Sequence, residues 1–389
     1  MSLPPSYADS SSLPCYSSSL LQGEETVAFM TIILKGQNPA EDFPVYGRGS
    51  TITGEVELKA NASVQSVSVQ LKGRLSASIS DSGSLTIPVV SERVVLWSQD
   101  PARCDLCPSV LPLALTFPQT FTHFELTRPI PPTFNEAYYQ TPIVTASCSY
   151  VLKFTVHNRA SKMAFWKPSR SYSFPVEYLP RSRPHRPIAH IDRFLSSLKH
   201  VPEDWLQIES VMRTSSVDVK AISCRFFIPS VGAYALSDSI PFHIQLSSTP
   251  ATLRYLLPES ELTDSEPSTV RVYLTRQMMV EVNKKCWRTE ILGEGKVRAI
   301  APPADGVFSN DDSEMYVDFE GQVCCHSPKK KVRCGGFNSG TVIVKDFLVF
   351  SLQAANPRSS PLINHHYSQP IKLVTDSWID DSTSHPSDI

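Results

Sequence analysis

The chain has 389 residues, 41% hydrophobic and only 19% charged, with 32 prolines against 15 glycines. That length suits two β domains better than one, and the apolar share can build two cores. A net charge of -2 excludes wholesale nucleic-acid binding, which needs a strongly basic surface. No uncharged run is long enough to span a bilayer, and no basic start leads into an apolar secretory stretch. Nine cysteines, an odd number scattered from Cys15 to Cys334, fit unpaired thiols in a reducing compartment. The expected location is the cytoplasm, with any membrane contact peripheral.

Residues 1–24 are rich in Ser, Pro and Tyr, show no hydrophobic period, and read as a disordered tail. The tail contains Leu3-Pro4-Pro5-Ser6-Tyr7. Pro4 and Pro5 hold the backbone near polyproline II, which puts Tyr7 where an aromatic groove can read it. WW-type modules recognise such segments, because the extended conformer is already formed. Phosphorylation of the serines at 6, 10–12 and 17–19 would add charge beside that motif.

From Glu25 the pattern turns to β. Val27 to Leu34 is an apolar run that predicts a strand buried on both faces. Ile52, Gly54, Val56 and Leu58 alternate with polar residues, as do Val67, Val69 and Leu71. A polar loop is expected over 76–84, then strands over Val89–Leu96 and around Tyr150–Val156. Residues 179–206 differ: prolines at 180, 184, 187 and 202 forbid a regular sheet and allow one short helical turn around Ile191–Leu198. Within 179–200, Arg181, Arg183, Arg186, Arg193 and Lys199 face only Asp192, so this basic hinge could meet an anionic membrane or acidic cargo, or simply stay solvated.

β-type sequence resumes at Val217 and Val219, then Ile222–Ile228 and Ile240–Leu246. The clearest strand is Val270–Val282, and Tyr316–Val323 and Thr341–Leu352 follow. Residues 377–389 form a second polar tail. Arg276 and Asp346 each stand on the apolar face of a strand, so they pair with each other or with Asp318, or reach solvent at a strand end. Lys329, Lys330 and Lys331, before Val332 and Arg333, read as a hairpin tip, a nuclear import signal or ubiquitin acceptors. Cys104 and Cys107 have zinc-ligand spacing, with Cys324, Cys325, His326 and Cys334 as distant partners, but a single such pair is weak and no metal or cofactor is expected. With no nucleophile elbow, Walker loop or dinucleotide fingerprint, the chain does not read as an enzyme. The residues alone predict an all-β protein of two sandwiches, over 25–178 and 207–376, joined by the hinge at 179–206.

Several segments resemble the arrestin family. Tyr46-Gly47-Arg48-Gly49-Ser50-Thr51-Ile52-Thr53-Gly54-Glu55-Val56 is similar to the opening of an arrestin N-terminal domain, and Gln70-Leu71-Lys72-Gly73 to its second signature. Leu111-Pro112-Leu113, Phe117-Pro118, Ile130-Pro131-Pro132-Thr133-Phe134 and Tyr150-Val151-Leu152 continue it in order. Phe227-Ile228-Pro229-Ser230, Asp238-Ser239-Ile240-Pro241-Phe242 and Gly336-Phe337-Asn338 with Val344-Lys345-Asp346-Phe347 resemble the C-terminal domain. The nearest resemblance is to the fungal α-arrestins, the arrestin-related trafficking adaptors.

That resemblance implies two consecutive arrestin-type, immunoglobulin-like β-sandwich domains. It also implies an adaptor that brings a WW-domain HECT-type ubiquitin ligase to transporters or receptors at the plasma membrane and endosomes. The cargo's cytoplasmic regions would then be ubiquitylated and endocytosed, with Pro4, Pro5 and Tyr7 forming the PPxY motif that captures the ligase. Two alternatives remain: a ligase-independent sorting scaffold of retromer type, and a nuclear or signalling scaffold using the lysine cluster. Family members commonly carry several PPxY motifs in a long C-terminal tail, whereas this chain has one, near its N-terminus.

Overall fold

The computed structural model describes residues 15–16, 29–38, 41–100, 102, 105–159, 169–188, 194–257, 269–300, 314–326 and 331–379. Nearly all of the regular structure is strand. The described helices are α1 (Phe194–His200), α2 (Pro250–Leu256) and one 3₁₀ turn at Pro202–Asp204. The chain divides into two compact units. One comprises the described residues of Met1–Pro180 with Val280–Cys286 and Asn338–Val342; the other comprises those of Arg181–Met279, Trp287–Phe337 and Ile343–Ile389.

In the first unit, β1 (Cys15–Tyr16), β2 (Met30–Leu34), β4 (Thr51–Leu58) and β7 (Val110–Thr116) form a four-stranded sheet in that order. The second sheet runs β3 (Val45–Tyr46), β12 (Ser169–Tyr178), β11 (Val144–Asn158), β5 (Val64–Ile79) and β6 (Gly83–Ser98), with β10 (Phe134–Tyr138) also paired to β11. A small hairpin of β8 (Thr120–His123) and β9 (Leu126–Pro129) stands between β7 and β10. Alternation explains the layering. In β4, Ile52, Gly54, Val56 and Leu58 are buried between more exposed neighbours, as period-two sequence requires.

An aromatic cluster ties the two layers together. Phe117, just past β7, lies 5.6 Å from the Tyr46 ring, 5.7 Å from Tyr150 and 5.2 Å from Tyr178. Those three rings come from β3, β11 and β12 of the opposite sheet, and the Tyr150 hydroxyl donates to the Pro131 carbonyl. Each such ring pair adds about 0.5–1.5 kcal/mol beyond its buried area.

The second unit repeats the plan. Its first sheet runs β13 (Trp205–Met212), β14 (Ile222–Pro229), β16 (Ser239–Ser248), β20 (Met315–Cys324) and β19 (Lys296–Ile300). Its second runs β15 (Ala233–Ala235), β23 (His365–Val374), β22 (Val342–Leu352), β17 (Val270–Val282) and β18 (Lys284–Glu294), with β21 (Phe337–Asn338) beside β22. One apolar cluster joins the sheets, with Phe226, Phe242, Ile244 and Phe319 from the first meeting Leu274, Leu348 and Phe350 from the second. Both units are therefore β-sandwiches.

The strands depart from the sequence expectations in instructive places. The Val27–Leu34 run was expected to be buried on both faces, but its described part alternates, with Met30, Ile32 and Leu34 buried and Thr31 and Ile33 half-buried. The expected loop over 76–84 is mostly strand. Its serines point outward while Ala77 and Ile79 enter the core, leaving residues 80–82 as the turn. Val217 lies fully exposed outside any strand, and the sheet is instead resumed by β13, which starts within the segment read as hinge. Within the tail read as patternless, Cys15–Tyr16 pairs with Ile32–Ile33 of β2.

Gly73 marks the tightest passage in the first core. A Cβ there would meet the Tyr150 ring at 2.6 Å and Val89 Cγ2 at 2.9 Å, both buried side chains with no room to retreat. Gly73→Ala is expected to cost about 1–3 kcal/mol by urea denaturation, the usual price of overpacking. Gly47→Ala, where nothing lies within 4 Å, is expected to change stability by less than ~0.5 kcal/mol.

Candidate functional site

The outward face of the first unit's larger sheet concentrates positive charge. Along β5, Val67, Val69, Leu71 and Leu75 are buried, so Gln70, Lys72 and Arg74 point the other way. The register continues that face sideways: Gln70 stands between Lys153 of β11 and Arg93 of β6, and Lys72 stands between Val151 and Ser91. With strands ~4.8 Å apart and ~3.3 Å per residue, the four cations Lys72, Arg74, Arg93 and Lys153 fall within ~15 Å of one another.

The outward positions of β5, β6 and β11 carry no carboxylate and are otherwise dominated by Ser and Thr, including Ser76, Ser78, Thr86, Ser91, Ser149 and Thr155. Arg93 donates to Ser68 Oγ at 3.1 Å, and Gln70 donates to Ser91 Oγ at 3.2 Å. Among the described residues, none of the four cations is in an ion pair. At physiological salt the screening length is about 8 Å, so only neighbouring cations of this patch reinforce one another, and those at its far ends act on separate anionic groups. Guanidinium, ammonium and hydroxyl donors on one sheet face suit phosphate or carboxylate groups.

The sequence reading did not single out this surface. Its cations come from three strands spread over residues 72–153, and only the register gathers them. The detectable signal was the local alternation Gln70-Leu71-Lys72-Gly73-Arg74.

Arg276 and Asp346 meet on the core face of the second unit's second sheet. Arg276 Nε donates to Asp346 Oδ1 at 2.7 Å and Nη2 to Oδ2 at 3.1 Å. Nη2 also donates to the Cys334 carbonyl at 3.0 Å, and the two side chains are only 9% and 1% exposed. Burial pulls the Arg276 pKa down, but the Asp346 charge and hydrogen bonds outweigh it and hold the guanidinium above its ordinary value. Asp318 takes no part in this pair. It lies on β20 and accepts hydrogen bonds from Gln245 Nε2 at 3.2 Å and from the His243 ring at 2.9 Å.

The basic connecting segment is fastened down at two of its arginines. Arg181 grips the Asp376 carboxylate through Nε and Nη2, and Ser182 N donates to Thr375 Oγ1 at 2.8 Å. Arg186 donates to Ser230 Oγ at 2.6 Å and lies 3.5 Å from Asp204. Arg183 and Lys199 are exposed, and Arg193 lies outside the described residues. So do Pro4, Pro5, Tyr7, Lys329, Lys330 and Cys104, while Lys331 is described and exposed.

Cys107 is buried, and desolvation pushes its thiol up to about 11. Among the described residues, no group of three or more His, Cys, Asp or Glu side chains could hold a metal ion. No described helix is long and apolar enough to cross a membrane.

Two outcomes follow from these contacts. Arg276→Met alone is expected to cost ~3–5 kcal/mol in urea denaturation, because Asp346 is left buried and uncompensated, while Arg276→Met with Asp346→Leu recovers most of the loss. The hydrogen bond from Arg181 holds the Asp376 carboxyl below its ordinary range. A depressed carboxylate pKa stabilises the contact above the ordinary Asp range, and the benefit disappears as pH falls through the folded value. Arg181→Ala is expected to return the Asp376 pKa toward ~3.9, read by a carboxyl-carbon NMR titration. No protein-family model and no curated protein matches this sequence.

Proposed function

We propose that the protein is an adaptor of arrestin type. Its first unit would hold an acidic or phosphorylated cytoplasmic segment of a membrane protein, and its N-terminal tail would recruit a WW-domain HECT-type ubiquitin ligase. The observation that carries the reading is the set of outward positions on β5, β6 and β11, which bear Lys72, Arg74, Arg93 and Lys153 and no carboxylate, on a chain whose net charge is -2. Four cations in one patch are not a by-product of a basic protein. A sheet face bearing hydroxyls can follow an extended peptide and place donors at several of its anionic groups.

The tandem sandwiches and the ordered series of arrestin-like segments support the same reading. The PPxY sequence at Pro4, Pro5 and Tyr7 supports the ligase arm. Work of this kind would take place in the cytoplasm, with recruitment to the plasma membrane and endosomes through cargo. It needs no cofactor and no catalytic group. A ligase-independent sorting scaffold is the second reading, favoured by the single PPxY; it keeps the cargo surface and omits the ligase.

The cargo surface is tested by fluorescence anisotropy with a peptide carrying several phosphoserines and its unphosphorylated counterpart. The phosphorylated form is expected to bind, and to weaken as salt rises from 50 to 300 mM. A charge-assisted contact adds ~1.5 kcal/mol, so each of Lys72→Ala, Arg74→Ala and Lys153→Ala should lower affinity about tenfold. Equal affinity for both peptides, or no loss in the triple variant, would contradict the proposal.

A further inference from the structure

The sheet that carries the cationic face ends on β6. Among the described residues, the backbone hydrogen bonds of β6 run to β5 alone, so its other side is an open edge. Such an edge is a template for any extended chain, and proteins ordinarily blunt it with prolines and bulges. Here both ends are blunted and the middle is not. Pro88 has no N–H to offer, and the register with β5 slips at Gly73/Arg74, which makes Val89 the extra residue. It slips again at Val67/Ser68, which makes Leu96 the extra residue. Between these points Val90–Val95 pairs without interruption. Ser91, Glu92 and Arg93 are exposed along that run, and Val95 keeps 56% of its surface in solvent.

The side chains of this window sort by charge. Ser91, Arg93 and Val95 oppose Lys72, Gln70 and Ser68, so they share the outward face with the cations. Glu92 and Val94 oppose the buried Leu71 and Val69, which puts them on the other face. Among the described residues, neither Arg93 nor Glu92 is in an ion pair, and the one side-chain hydrogen bond of Arg93 goes to Ser68 Oγ at 3.1 Å. A strand added here meets a cation on one face and, one residue on, a carboxylate on the other. Its complement must alternate as well, with an anionic residue opposite Arg93 and a basic or neutral one opposite Glu92. A second copy of β6 is not that complement. Directly opposed residues share a face, so self-pairing never sets Arg93 opposite Glu92.

We propose that Val90–Val95 takes an extended segment of cargo as an added strand, and that this segment carries its anionic residues at alternate positions. The proposal rests on the cargo reading above and adds how the anionic segment is held. Main-chain bonds to the edge supply the grip, and Arg93 selects the phosphate or carboxylate opposite it. Glu92 rejects a run of adjacent acids by repulsion. Lys72, one strand further in, lies ~10 Å from the added chain at ~4.8 Å per strand, within reach of a phosphoserine.

Fluorescence anisotropy on the full chain tests this with isomeric peptides, each carrying two phosphoserines and two lysines. The isomer with its phosphoserines at alternate positions is expected to bind about tenfold more tightly than the one with them adjacent. Glu92→Lys, a change at an exposed position, is expected to erase that preference. Methylating every second backbone amide of the alternating isomer should abolish binding in one phase and spare it in the other, because only alternate amides of a strand face its neighbour. Equal affinity for the two isomers, or equal effects of the two methylation phases, would overturn the added strand and leave the cationic face as a cargo surface. Dimerisation of the free chain that the alternating peptide reverses would overturn it as well, by giving the edge to a second copy. Failure of every phosphopeptide to bind would contradict the cargo reading and the added strand with it.

Discussion

A strand that buries one face has a single register open to it, and this constraint governs the whole molecule. In β5 a slip of one residue would turn Lys72 and Arg74 into the aromatic core around Tyr150 and expose Leu71 and Leu75. Burying even one of those cations without a partner costs more than the sheet gains from the pairing. The same alternation that builds the core therefore places Lys153 and Arg93 on either side of Gln70. Fold and candidate cargo surface are two faces of one register, and neither can shift without the other.

The second unit shows what happens when charge enters the buried face. Arg276 and Asp346 are tolerated because the geometry is bidentate and Cys334 supplies a further acceptor. The loop that provides this carbonyl must come close to the sheet, and its glycines permit that. A Cβ at Gly335 would lie 2.0 Å from the Leu373 carbonyl oxygen, and one at Gly336 2.8 Å from that of Val344. A buried pair of this kind adds little net stability over an apolar replacement but penalises loss of either partner heavily. It acts as a constraint on which strands may be neighbours.

Much of this was legible in the sequence where a strand alternates cleanly against one core. Val270–Val282 was expected from its period alone, and β17 has those bounds. Strands β18 and β23 were missed, because their buried positions are few and polar residues occupy much of both faces. The hinge reading was compositional: prolines ruled out a sheet, but composition could not show that Arg181 would meet Asp376, 195 residues away. The cationic face was illegible for the same reason. A single sequence reveals which residues share a strand face, but pairing Lys153 with Gln70 and Arg93 requires the register.

The adaptor account joins a surface that attracts anionic peptide to a tail that engages a ligase, and the tail is its most exposed claim. The most direct measurement is isothermal titration of the full chain against isolated WW domains of a HECT-type ligase, beside a Tyr7→Ala chain. The account predicts saturable binding that disappears in Tyr7→Ala, since the aromatic ring supplies most of the buried area in so short a segment. Identical heats from the two chains would contradict it and leave a cargo-binding scaffold with no link to ubiquitylation.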